Sequence, residues 1–259
     1  MKKTIFTLGL LFQSLLIFAA VTPTVLPTPQ ETYSSKRTYL VDSNPSSDTY
    51  IFRGNQPLNQ DGTFAYDDLS TTVKRLAGID LTQYKIVDLS IIDNTPGSNR
   101  GDLEDEFYAF GLSSSFFSVT ISPQVWPPYA NGFPVTELWG EWVDGWPGSI
   151  VWYPVQGCPT PSVCDQQENK YFGFDKEVDF LANFLKTHSN SVLYFHCLHG
   201  HDRTSALHAG YLMKYKKATL KQVLTQKPPL GAKGFKHKWE ADYQTLVIWY
   251  AGYLTGTAK

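Results

Sequence analysis

The sequence predicts an α/β fold, a central mostly parallel sheet flanked by helices. Three observations point there. Residues 49–54, 85–91 and 192–195 are short apolar runs rich in Val, Ile, Leu, Tyr and Phe, bounded by polar or turn-forming residues, as buried strands are. Between them lie stretches with helical spacing, clearest in Phe174, Val178, Leu181 and Leu185, which share one face at 3.6 residues per turn. The run at 192–195 then passes through a glycine-containing turn into an apolar helical stretch, the order in which α/β sheets are built.

Taken in order, Lys2 and Lys3 precede a mostly apolar stretch from Ile5 to Val21, which has the charge and hydrophobicity pattern of a secretory signal. Residues 1–22 are therefore expected to export the chain to a periplasmic or secreted location, with cleavage after Ala20 or Thr22. The segment is nearly long enough to span a bilayer, so a retained N-terminal anchor, and with it membrane association, is the alternative. The Pro-rich start of 23–47 reads as a linker, and 48–259 as one domain, a length that buries one sizeable core.

Within the domain, the strand at 49–54 is followed by the turn-prone Asn55-Gln56-Pro57, and residues 67–76 read as a helix. After the buried strand at 85–91 come a loop at 93–100, a helix at 104–110 stopped by Gly111, and a strand at 116–121. Residues 123–167 change character: Trp126, Trp139, Trp142, Trp146 and Trp152 fall here among many prolines, marking an irregular aromatic-rich insertion. Its rings are expected to form a satellite core that holds the loop down rather than to line a cleft. Regular structure returns at Phe174. The helix at 204–215 is apolar on most sides and belongs against the sheet, and helices at 219–226 and 239–254 flank Pro228-Pro229.

A formal net charge of -2, with no run of Lys and Arg interleaved with aromatics, excludes the electrostatic footprint of a nucleic-acid binder. The chain has three cysteines, Cys158, Cys164 and Cys197. The first two enclose a short loop that a disulfide would close in an oxidising compartment, leaving Cys197 as the odd, reactive thiol.

Cys197 opens the most informative stretch, His196-Cys197-Leu198-His199-Gly200-His201-Asp202-Arg203-Thr204. A strand that turns directly into a helix aims successive backbone N–H groups and a helix N-terminus at one point, which makes an anion site. A thiol in that field is favoured as thiolate. Arg203, in the first turn of the helix, presents a planar fork suited to two oxygens of a phosphoryl group. Gly200 permits the backbone to curl inward, and Thr204 carries a hydroxyl aimed at the cysteine sulfur. His196 is expected to orient the loop by hydrogen bonding rather than to act as a base.

The pattern His-Cys-x-x-Gly-x-x-Arg-Thr resembles the phosphate-binding signature of the protein tyrosine phosphatase superfamily, in its dual-specificity and atypical bacterial branch. The run from Tyr50 through Arg53 to Gln56 and Pro57 is similar to the opening of several such enzymes, with Gly54 and Asn55 departing from it. The strand at Ile86 to Leu89, and a helix holding Glu106 and Ala109, also resemble the family. The likeness covers about residues 48–122 and 165–254 and leaves the insertion unmatched. It implies a cysteine phosphatase fold over 48–259 and phosphomonoester hydrolysis through a phosphocysteine intermediate, with Cys197 as nucleophile and Arg203 as clamp. Leu198, His199, Gly200, His201 and Asp202 would line the phosphate site. The late position of the signature disfavours the arsenate-reductase-like branch, and His196, Gly200 and Thr204 are not features of rhodanese-like sulfurtransferases.

The resemblance also implies a general acid, usually an aspartate about thirty residues before the cysteine. Asp165 is the first choice for it, with Asp144 and Asp202 as alternatives. Zinc held by His196, His199, His201, His208 and Cys197 is a weaker reading, because the signature already accounts for Cys197; no metal or cofactor is expected. Asp202 and His201 resemble features of phosphoinositide phosphatases. The expected substrate is thus a phosphotyrosine or phosphoprotein or a phosphoinositide, with an inositol polyphosphate as the alternative. A catalytically idle phosphate-binding module is the alternative of another class.

Overall fold

The computed structural model describes residues 26, 28–92, 105–106, 109, 124–125, 135–139, 173–225 and 241–257. Their elements run β1 (Tyr39–Asn44), β2 (Thr49–Asn55), α1 (Tyr66–Ala77), a single 3₁₀ turn (Leu81–Gln83), β3 (Lys85–Ser90), β4 (Gln124–Val125) and β5 (Val135–Trp139). They continue with α2 (Gly173–Thr187), β6 (Ser191–Cys197), α3 (Asp202–Lys216), α4 (Leu220–Thr225) and α5 (Ala241–Thr255). Among the described residues the strands form one mixed sheet in the order β1-β2-β6-β3-β5-β4. The inner four are parallel, while β1 and β4 lie antiparallel at the two edges. The α/β architecture expected from the sequence is the one observed.

Side-chain alternation along the strands sorts the core into two layers. Ile51, Val87, Leu89, Leu193, Phe195 and Cys197 face a cluster completed by α2, α3 and α5. Phe52, Ile86, Val192 and Tyr194 face the opposite cluster, completed by Phe64, Leu69 and Val73 on the α1 side. Helix α3 is buried from Arg203 to Met213, as its apolar circumference requires, and packs between α2, α5 and β6. Each large apolar side chain sequestered in these layers contributes about 1.5–3 kcal/mol. Asp67 and Asp68 in the first turn of α1, and Lys74 and Arg75 in its last, complement the helix dipole.

Two stretches differ from the sequence expectation. The segment read as a linker contributes β1, whose residues pair with β2 from Tyr39↔Arg53 to Asn44↔Thr49. The stretch read as an irregular insertion contributes β5, a parallel strand paired with β3 from Ile86↔Val135 to Ser90↔Trp139, and β4 beside it. Backbone pairing decides both, to the following strand for β1 and to the distant β3 for β5. The strand expected at 116–121, the loop expected around Pro228-Pro229 and residues 1–22 lie outside the described residues. Among the described residues, no helix is long and apolar enough to cross a membrane.

Candidate active site

Strand β6 ends on Cys197, opposite Asn55 of β2, and α3 begins five residues later at Asp202. The intervening turn closes tightly because Gly200 adopts φ +69°, a left-handed conformation that side chains disfavour. A Cβ at Gly200 would stand 2.4 Å from Gly54 O and 2.7 Å from Asn55 N, so the turn rests directly on the backbone of β2. The Gln56 N–H donates to Leu198 O at 3.1 Å and fixes the start of the turn.

Cys197 is a free thiol, 4% exposed, and its backbone N–H donates to Thr204 Oγ1 at 2.7 Å. That geometry refines the expectation for Thr204. Its oxygen is used as an acceptor by the loop backbone, and its own proton stays available to a neighbouring sulfur. Arg203 occupies the first turn of α3 and is 9% exposed. Leu198 is buried, and His201 and Asp202 are partly exposed at the helix start. The sequence-predicted cysteine, arginine and threonine are thus gathered at one carboxyl end of the parallel sheet, where α/β folds place ligands.

His196 lies on the opposite face of β6 from Cys197, as strand alternation dictates. Its Nε2 stands 3.2 Å from Glu106 Oε1 and 3.4 Å from Asp88 Oδ2, all three side chains being buried. Burial alone would lower the imidazole's pKa, but the two carboxylates outweigh it and hold His196 well above its ordinary 6.5. The ring is therefore an imidazolium at neutral pH, and its Nδ1–H lies 3.3 Å from Cys197 O. Gln56 Nε2 donates to Glu106 Oε2 at 3.3 Å, tying the network to the end of β2.

At the rim, His199 is half-exposed, and its Nδ1 lies 2.9 Å from Glu31 Oε2. Glu31 also pairs with Arg37 at 3.0 Å, and Arg37 reaches back to His199 O at 3.4 Å. The histidines that a zinc reading would group are dispersed: His196 meets carboxylates, His199 meets Glu31, and His208 meets Arg53 on the far side of the loop. Among the described residues, the grouping with metal-ligand chemistry is Asp88, Glu106 and His196, whose ligand atoms lie within 4.8 Å of one another. There the imidazolium supplies the positive charge that the two carboxylates require.

Asp165 and Asp144, two of the three general-acid candidates, lie outside the described residues, as do Cys158 and Cys164. The parallel strand β5 nevertheless ends at Trp139, in line with Ser90 and, through it, His196. Strand β5 thus ends at the same carboxyl end of the parallel sheet as β6. Sequence reasoning assigned no catalytic role to Arg53, Asp88 or His208, the last entering only the weaker zinc reading. A carboxylate in the middle of the buried run at 85–91 was the available signal for Asp88, and the run from Tyr50 to Pro57 was the signal for Arg53.

No protein-family model matches the chain, and no curated protein matches it in sequence. Among solved structures it is similar to P. aeruginosa TpbA, with 14% identity, a TM-score of 0.39, and 85% of this chain and 97% of that chain covered. It is also similar to the Trypanosoma brucei protein tyrosine phosphatase TbPTP1, with 12% identity, a TM-score of 0.41, and 85% of this chain and 74% of that chain covered.

Proposed function

We propose that this chain is an exported cysteine-dependent phosphatase that hydrolyses phosphomonoesters through a phosphocysteine at Cys197. The observation that carries the reading is the junction of β6 and α3. It sets a buried free thiol, a left-handed glycine turn, an arginine in the first helical turn and a threonine hydroxyl bonded to the cysteine N–H within one short loop. Backbone N–H groups converging at a helix start favour a phosphoryl anion.

In the first step the Cys197 thiolate attacks phosphorus, the P–S bond forms, and the P–O bond to the leaving group breaks. The departing oxygen takes a proton from the general acid, for which Asp165 is our first choice and Asp144 the second. In the second step water attacks phosphorus, giving its proton to that carboxylate; the P–S bond breaks, and inorganic phosphate leaves. Arg203 and the loop N–H groups hold the equatorial oxygens in both steps. Thr204, already oriented by the Cys197 N–H, donates toward the sulfur as it becomes the leaving group. His196, held by Asp88 and Glu106, fixes the end of β6 behind the loop. The substrate class we assign is a phosphotyrosine or phosphoprotein or a phosphoinositide.

Turnover of a generic aryl phosphate by the wild type, its loss in Cys197→Ser, and vanadate binding retained in that variant test the reading together. Replacing an activated nucleophile costs far more than about a hundredfold, so residual activity above about 1% in Cys197→Ser would overturn covalent catalysis.

A further inference from the structure

Arg53, near the end of β2, is a guanidinium that is 2% exposed. A buried cation is costly unless its donors are met. Its Nη2 donates to Gly200 O at 3.3 Å and to Ser205 Oγ at 3.2 Å, and its Nη1 lies 3.2 Å from Nδ1 of His208. The guanidinium also stands 5.6 Å from the centre of the Tyr39 ring. Burial, reinforced by the charge of Arg53, holds His208 well below its ordinary pKa. His208 is therefore neutral, its Nδ1 is the acceptor, and its proton sits on Nε2.

The surroundings of Arg53 are built for close contact with the loop. A Cβ at Gly54 would fall 1.9 Å from Tyr194 Oη, so the ring reaches over this residue, and that hydroxyl donates to Asn55 O at 2.7 Å. Gly200 packs directly on the Gly54 backbone, and Gln56 bonds Leu198. Residues 53–56 thus form the floor on which the turn from Leu198 to Gly200 lies.

Burial lowers Arg53 to about 10, and Tyr39, Cys197 and Tyr194 act against that shift. Both tyrosines are raised from 10.0, chiefly by burial, and are neutral at working pH. Of these three, Cys197 is the group that carries negative charge when it is a nucleophile.

We propose that Arg53 is a positioning residue for the Cys197 loop: it anchors the left-handed turn at Gly200 to α3 and holds a buried positive charge against the Cys197 thiolate. It acts through the loop and does not touch substrate. Arg203 holds the phosphoryl oxygens, whereas Arg53 shapes the backbone that receives them. The titratable groups that face Arg53 are Tyr39 from β1, Cys197 and Tyr194 from β6 and His208 from α3.

This rests on Cys197 being the nucleophile of the proposed reaction, and the test separates the two ideas. The rate of iodoacetamide alkylation of Cys197 at neutral pH, and vanadate binding, are measured for the full chain in the wild type, Arg53→Met, Arg53→Lys and His208→Gln. In Arg53→Met alkylation is expected to slow, because the thiolate loses a facing cation. Vanadate binding is expected to weaken by about tenfold or more, because the donors are no longer pre-shaped. Arg53→Lys should restore the alkylation rate through its charge but recover vanadate binding only in part, lacking the fork that spans Gly200 and Ser205. Unchanged alkylation and vanadate binding in a folded Arg53→Met would overturn the proposal while leaving the phosphatase reading intact. A wild type that neither turns over an aryl phosphate nor binds vanadate would overturn the phosphatase reading instead. Should Arg53→Met not fold, the comparison of Arg53→Lys and His208→Gln with wild type decides. Vanadate binding weakened in both supports the proposal, and binding unchanged in both overturns it.

Discussion

Nε2 of His196 sits 3.2 Å from Glu106 and 3.4 Å from Asp88, on the face of β6 opposite to Cys197. On the other face, His208 sits against Arg53. One buried histidine is thus held charged and the other neutral, on two sides of the same loop.

The pair predicts a stability profile with two limbs. His196 has a folded pKa raised above its ordinary 6.5, so its contribution is fully present below about 6.5 and is lost as pH rises toward the folded value. His208 has a lowered folded pKa, so its contribution is present above about 6.5 and is lost as pH falls toward the folded value. Urea melts from about pH 5 to about pH 9 should fall off in both directions. His196→Asn should flatten the alkaline limb, and His208→Gln the acid limb. A profile in which His196→Asn alters only the acid limb would contradict the assignment.

Gly200→Ala should impair the protein even though it adds one methyl group. The left-handed backbone costs a non-glycine residue about 1–2 kcal/mol, and the new Cβ would meet Gly54 O at 2.4 Å. Because the neighbour is backbone, the turn itself must shift. Vanadate binding and turnover should fall by more than about tenfold, a loss out of proportion to the drop in melting temperature. A variant with wild-type vanadate affinity would show that the turn is not held as described.

Thr204→Val removes the acceptor of the Cys197 N–H and leaves a buried donor unmet, at a cost of about 1–3 kcal/mol. Thr204→Ser keeps the oxygen and should recover most of the stability. On a substrate with a good leaving group, where the second step limits, Thr204→Val should lower kcat and build up phosphocysteine visible by mass spectrometry. Equal stability of the Val and Ser variants would argue against the hydrogen bond.

The general acid is open to a leaving-group test. Replacing the acid by Asn should slow turnover of alkyl or peptide phosphates by about 10²- to 10⁴-fold, and of an activated aryl phosphate far less. Asp165→Asn is the first variant to measure. Because β5 ends at the same carboxyl end of the sheet as β6, and Asp144 follows Trp139 closely in sequence, Asp144→Asn is its necessary partner. The variant showing the leaving-group dependence identifies the acid.

The sequence alone determined the parts of this protein whose geometry is local. A buried strand, a glycine turn and an apolar helix in immediate succession bring Cys197, Gly200, Arg203 and Thr204 together, because strand and helix dihedrals leave that junction few arrangements. The same locality made α1, α2 and α3 legible from their spacing. Partnership between distant residues was decided only by the tertiary structure. Arg53 meets Gly200 across 147 positions, and Gln56 meets Glu106 across 50. Strands β1 and β5 exist because β2 and β3 offer them backbone partners, and their own composition, Tyr39 to Asn44 and the Trp-rich stretch around Trp139, reads as linker or loop without those partners. Asp88, Glu106 and His196 show the same division. Parallel pairing of β3 with β6 puts Asp88 and His196 on one face, and Glu106 joins them from a separate segment, so only the tertiary structure turns the three into a buried charged network beneath the cysteine.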